Sequence, residues 1–277
     1  MSSAQARMSI DKVTEKVNEI DLPPTTKDAF FRGQFHLLQP KSGGHRSGID
    51  ALLLAATLSD QTNGHLADFG SGAGAAGLAA ATRCNGLTVD LVEVDPIMCR
   101  LAQESLKLGG NGHLDGRVNV LEADISLSGE RRKFAGLQDE TYDHVIMNPP
   151  FYEPANQRSP DPMRALAHMI GSGGLDPWLR SAAAVLKPGG RVAIINRPET
   201  LGKIIAGFQG RFGAAQILPV HSRAEEPASK IIVTGKKGLK APLTMLPPLI
   251  IHGTDGAYTD EANAVFEGEG DISGRFD

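Results

Sequence analysis

The chain has 277 residues, of which 41% are hydrophobic and 22% charged, and a formal net charge of −4. This is the composition of a soluble protein with a full apolar core, and the length suits one large α/β domain with extensions or two small domains. It excludes a membrane-spanning chain, because no apolar run is long enough, and it means that any nucleic-acid partner must be met by a local basic face.

The first stretch, "MSSAQARMSIDKVTEKVNEIDLPP", is polar and lacks the apolar segment of a secretory leader. Residues 1–34 are set apart as a polar extension. "QFHLLQP" then reads as a strand or turn piece. A polar, glycine-rich loop follows over Lys41 to Gly48, and a helix begins at Asp50. "HLADFG" is a short apolar strand, "AAGLAAATR" a small-residue helix, and "LTVDLVEVD" a β-branched strand. "PIMCRLAQESLKLG" has Pro96 at its start and Gly109 at its end, the punctuation of a helix. "RVNVLEAD" and "YDHVIMN" are two more strands. "LDPWLRSAAAVLKPGG" is a helix stopped by Pro-Gly-Gly, and "RVAIIN", "AAQILPV" and "KIIVTGKKG" are further strands. Strands alternating with helices predict a doubly wound, mostly parallel sheet with helices on both faces. The domain is placed at residues 35–240. The tail, 241–277, is proline-dense and is expected to pack on the domain as an extended arm.

Two connections are long: "ISLSGERRKFAGLQDET" and, between 151 and 173, "FYEPANQRSPDPMRALAHMIGSG". Long irregular loops in a compact domain are usually functional or disordered, and the second invites the idea of a lid. Cys84 and Cys99 show neither CxxC spacing nor a histidine cluster, so they read as reduced, buried thiols of a cytoplasmic protein, and no metal site is expected.

Three motifs carry chemistry. In "DFGSGAGAAG", Gly70, Gly72 and Gly74 allow a tight turn and let a ligand approach the backbone at a helix N-terminus. Asp68, just before the glycines, favours a cationic or amine-bearing ligand over a pyrophosphate. Glu93 closes the next strand, where a carboxylate accepts from ribose hydroxyls, while Asp95 before Pro96 reads mainly as a helix cap. In "HVIMNPPF", two prolines have no N–H to give a ladder, so the strand ends near Asn148. The Asn148 amide, the Pro149 carbonyl, the rigid Pro149–Pro150 turn and the Phe151 ring then stand together at a strand's carboxyl edge.

These motifs resemble those of the class I S-adenosylmethionine-dependent methyltransferases, whose fold is a Rossmann-like seven-stranded sheet with the last strand antiparallel. The resemblance implies S-adenosylmethionine as cofactor, with Glu93 on its ribose and Asp124 of "LEADI" on its adenine amino group. "NPPF" resembles the (N/D/S)PP(Y/F/W) signature of amino-methyltransferases. It implies that Asn148 and Pro149 accept the two hydrogens of an exocyclic amine while Phe151 stacks on the acceptor. Upstream, Phe35, Gln39, Gly48, Asp50 and Leu53 resemble the start of the bacterial family that methylates adenine N6 in a valine tRNA. There Arg46, Ser47, Gly48 and Asp50 would hold the cofactor's methionine end, although Asp50 also suits simple helix capping. The resemblance spans Phe35 to about Lys237 and is weaker in the substrate loop and tail.

The expected partner is therefore RNA, tRNA first, with no membrane and an open oligomeric state. Basic groups at Arg131–Lys133, Arg158 with Arg164, and Lys236–Lys240 are candidate phosphate contacts or ordinary solvated charge. The alternatives are guanine N2 of ribosomal RNA, a glutamine amide of a protein, or a non-catalytic nucleotide-binding module.

Overall fold

The computed structural model describes residues 22–41, 48–150 and 174–276. A hairpin comes first: β1 (Thr25–Phe30) pairs antiparallel with β2 (Phe35–Pro40). The chain then runs through α1 (Ile49–Ala55), β3 (Asn63–Phe69), α2 (Ala75–Arg83), β4 (Gly86–Glu93), α3 (Pro96–Leu106), β5 (Val118–Glu122), α4 (Gly129–Phe134) and β6 (Tyr142–Met147). It continues with α5 (Asp176–Val185), β7 (Leu186–Asn196), α6 (Leu201–Phe208), β8 (Phe212–His221), β9 (Ala228–Lys237), β10 (Thr244–Met245), β11 (Leu249–Ile250) and α7 (Asp260–Glu267).

The main sheet has the order β10-β8-β9-β7-β6-β3-β4-β5, with β11 also on β8. β5, β4, β3, β6 and β7 are mutually parallel, and β9 runs antiparallel to both β7 and β8. The expected last antiparallel strand is thus present. The expected count of seven is corrected to nine, because two dipeptide strands from the tail add to the β8 edge.

The apolar residues of each central strand alternate between two cores. Leu66, Ile146, Ile195 and Ile232 face α1, α2, α3 and α7, whereas Ala67, Val145, Met147, Ile194 and Val233 face α5 and α6. Both faces of the sheet are therefore dry, as parallel strands require. Among the described residues, no helix is long and apolar enough to cross a membrane.

Several elements differ from expectation for identifiable reasons. Residues 25–33 fall within the expected polar extension, yet β1 alternates and Phe31 is buried against α7. A Cβ on Gly268 would lie 2.6 Å from the Phe31 ring. Asn111 fastens this hairpin to α3, accepting from the His36 N–H at 2.8 Å and donating to the carbonyls of His36 and Ser105 at 2.8 and 2.7 Å. The tail is not merely extended, since Thr259 caps α7 through its hydroxyl after the prolines have passed. The Arg83–Asp271 ion pair ties the tail to the end of α2, and the Arg275–Glu261 pair braces the tail internally. The helix expected to stop at Pro-Gly-Gly ends earlier, at Val185; the strand already begins at Leu186 and runs through Gly189 at φ +78°. The 125–141 connection, expected to be irregular, contains α4.

Candidate functional site

Strand register gathers the motif residues at one edge. Phe69 pairs with Val92 on one side and Met147 on the other; Met147 pairs with Ile194, and Glu93 with Glu122. One step beyond these pairs lie Gly70, Asn148 and Ala123, all at the carboxyl ends of parallel strands. Chain order reverses between β3 and β6, and such a reversal opens a crevice there.

The glycine loop divides its labour. Gly70, Gly72 and Gly74 all have positive φ, of +67°, +56° and +100°. Such values favour glycine because a Cβ is strained there. The N–H groups of Gly70 and Ser71 donate to the Val92 carbonyl at 2.8 and 3.1 Å, folding the loop back over β4. A Cβ on Gly70 would lie 2.5 Å from the Trp178 ring, and one on Gly74 would lie 2.7 Å from Leu91. Among the described residues, a Cβ on Gly72 would meet nothing within 4 Å, so Gly72 fronts open space there.

Asp68 is buried, and its Oδ2 accepts the Gly77 N–H at 2.8 Å, joining the strand end to the first turn of α2. Burial pushes its carboxyl up from the ordinary 3.8 to about 7; the Gly77 bond opposes the rise and the nearby Glu93 charge adds to it. The folded state therefore holds a proton that the unfolded chain releases. The resulting stabilisation is complete below the ordinary carboxylate value and is lost as pH rises through about 7. A shift of this size corresponds to at most about 4 kcal/mol. Asp68→Asn keeps an acceptor for Gly77 without a titrating group. It is expected to raise Tm at pH 8 and to narrow the gap between melts at pH 5 and pH 8. An unchanged gap would contradict this account of Asp68.

Glu93 is more heavily bonded than its sequence position foretells. Its Oε2 accepts from Gly72 N–H at 2.8 Å, and its Oε1 from Val94 and Asp95 N–H at 2.9 and 3.0 Å. Burial raises its pKa, and these three backbone bonds oppose the rise. A carboxylate has about four lone-pair sites, so about one stays open for a ligand hydroxyl. Asp95 caps α3 by accepting from Ile97 N–H at 2.8 Å. Asp124 accepts from Ser126 N–H at 2.8 Å, which closes a local turn beside the edge.

Asn148 is half-buried, and its amide makes no hydrogen bond with a described residue, in contrast to the engaged carboxylates around it. Pro149 is buried and Pro150 exposed. The expected Phe151, Arg46 and Ser47, and the 151–173 loop, lie outside the described residues. Gly48 sits at the N-cap of α1 with no side-chain cap. Asp50, one of the expected ligand groups, does not cap the helix; it forms an ion pair with Lys230 at the start of β9.

Four residues at this edge went unread in the sequence. Ser71 Oγ is buried without a hydrogen-bond partner among the described residues, an orphaned polar atom inside the glycine loop. Trp178, the chain's one tryptophan, floors that loop under Gly70. Lys230 pairs with Asp50. Asn196 ends β7 and lies 99% buried, with its amide Nδ2 3.5 Å from the Pro149 carbonyl. A polar residue closing the apolar run "VAII" was the available signal for Asn196. Among the described residues, no group of three or more His, Cys, Asp or Glu could hold a metal ion.

This site fits a nucleoside-bearing cofactor. The orphaned Ser71 hydroxyl and the partly free Glu93 carboxylate are unspent polar groups, and Gly72, whose N–H is given to Glu93, fronts open space beside them.

Comparison with known proteins agrees with this geometry. The family model "Methyltransferase small domain" matches residues 46–218. A tRNA1(Val) (adenine(37)-N6)-methyltransferase of Aeromonas hydrophila is 29% identical over 232 residues, covering 82% of this chain and 90% of that protein. The protein of the same name in Porphyromonas gingivalis is 25% identical, covering 78% and 85%. A crystal structure of a predicted O-methyltransferase from Agrobacterium tumefaciens is 37% identical, with a TM-score of 0.71, covering 80% of this chain and 98% of that one.

Proposed function

We propose that this chain, which belongs to the methyltransferase small domain family, methylates an exocyclic amine held by Asn148 and Pro149, most specifically N6 of an adenine in tRNA. It is an S-adenosylmethionine-dependent methyltransferase; the acceptor is the proposal. The observation that carries it is the unengaged Asn148 amide at the switch-point edge, one step beyond the Phe69–Met147 pair.

When bound, S-adenosylmethionine supplies an electrophilic methyl carbon on a sulfonium. Glu93, Gly72, Ser71 and Asp124 would hold it, with Asp50 a further candidate at the α1 end. The protein's own task is to aim a weak nucleophile. The lone pair of an exocyclic aromatic amine is delocalised into its ring. Accepting both N–H hydrogens, at the Asn148 Oδ1 and the Pro149 carbonyl, turns that lone pair out of conjugation toward the crevice. As the nitrogen gains positive charge, the two carbonyl dipoles stabilise it. The C–N bond forms as the methyl's bond to sulfur breaks, and the nitrogen, now a strong acid, then gives its proton to water, so no strong base is needed. Holding the amine in line converts an encounter into a near-attack arrangement. Phe151 is assigned to stack on the acceptor ring.

The tRNA acceptor is supported by the names of the relatives from Aeromonas hydrophila and Porphyromonas gingivalis, and it would place the work in the cytoplasm. The O-methyl label of the Agrobacterium structure favours a hydroxyl acceptor instead. Two carbonyl acceptors suit an NH2 better, because a hydroxyl has only one hydrogen to give. Nucleoside mass spectrometry of tRNA from a strain lacking the gene separates these possibilities. Loss of N6-methyladenosine is the expected result. Intact N6-methyladenosine, with a ribose O-methyl, a 2-methylguanosine of rRNA or a protein methylglutamine missing instead, would overturn it.

A further inference from the structure

The acceptor-holding carbonyl has a support of its own on the neighbouring strand. We propose that Asn196 is a positioning residue that fixes the direction of the Pro149 carbonyl, and so the angle at which the acceptor amine is held.

β6 and β7 are parallel, and Met147 pairs with Ile194, so continuing the register brings Asn196 beside Pro149. Asn196 is 1% exposed, and a buried amide must find partners. Its Oδ1 accepts the Arg197 N–H at 2.8 Å, which fixes the plane of the amide. With the oxygen tied there, Nδ2 is turned toward the Pro149 carbonyl at 3.5 Å. That contact is long, yet catalytic hydrogen bonds are often loose without substrate and tighten on binding. Pro149 is also followed by Pro150, which lacks an N–H, so the turn cannot be steadied by the backbone bond a residue at 150 would otherwise donate. Asn196 thus gives the Pro149 carbonyl a buried side-chain partner in a turn that lacks that backbone bond. A carbonyl oxygen has two lone pairs, so Asn196 and an acceptor N–H can be bonded together.

The proposal rests on the amine-methylation reading. The test compares wild type with Asn196→Asp, Asn196→Ser and Asn196→Ala in steady-state methylation of unmodified tRNA. Thermal melts and the Kd for S-adenosylhomocysteine are measured alongside. Asn196→Asp keeps the shape and the bond from Arg197 but sets a lone pair against the carbonyl. It is expected to lower kcat at least about tenfold, less than the ~10²-fold that a full 1 Å misplacement can cost, with the Kd within twofold. Asn196→Ser, which keeps a donor, is expected to exceed Asn196→Ala in kcat. If Asn196→Asp does not fold, the Ser and Ala pair decides: a higher kcat for Ser supports the proposal, and equal values overturn it. Folded variants with wild-type kcat would also overturn it. If wild type itself methylates no amine, the amine reading falls, whereas an active wild type matched by its variants removes only the role of Asn196.

Discussion

Asn148→Ala is expected to lower kcat for methyl transfer by at least about 10²-fold, the scale on which removing one fixed dipole at a charge-developing atom acts. The Kd for S-adenosylmethionine should stay within a few-fold. The two effects separate because Asn148 has no hydrogen bond to the glycine loop, to Glu93 or to any other described residue. Its half-buried amide is therefore a free acceptor and not a strut of the cofactor crevice. Asn148→Asp keeps an acceptor oxygen and should retain more activity than the alanine variant. Steady-state kinetics with calorimetry checks this. Parallel loss of kcat and cofactor affinity would make Asn148 a structural residue.

Gly70→Ala is expected to destabilise the protein by about 2–5 kcal/mol, from two separate causes. The residue holds φ at +67°, a left-handed conformation that costs an L-residue roughly 1–2 kcal/mol. Its new Cβ would also stand 2.5 Å from the Trp178 ring, and overpacking of that kind costs typically about 1–3 kcal/mol. Trp178 must then shift away from the loop. Because it is the only tryptophan, its emission reports that shift directly. A thermal melt and a fluorescence spectrum check the prediction; an unchanged Tm with an unchanged spectrum would contradict it.

The backbone geometry of the glycine loop and of the turn after β4 was legible because it is carried by local sequence. Gly70, Gly72 and Gly74 are dictated by backbone conformation, and Asp95 before Pro96 caps its helix by a rule confined to a few residues. Apolar runs bounded by glycine and proline likewise marked β3 to β7. The parts that escaped depend on partners remote in sequence. Asn196 acquires meaning only from Pro149, 47 residues away, and Trp178 only from Gly70. Asp50 reads as a ligand for the cofactor's methionine end or as a helix cap, but Lys230, 180 residues on, pairs with its carboxylate. The tail's helix was hidden by the prolines before it, and β1 by the polar composition around it. Asp68 was placed correctly at the strand end, but its burial and its bond to Gly77 follow only from the packing of α2.

The central claim is that two carbonyl acceptors at the end of β6 present an NH2 group for methylation. Purified protein incubated with unmodified tRNA and S-adenosylmethionine bearing a deuterated methyl, followed by nucleoside mass spectrometry, tests it most directly. The account predicts deuterated N6-methyladenosine with wild type and almost none with Asn148→Ala. Label arriving on a hydroxyl, or arriving on adenine equally well without the Asn148 amide, would contradict it.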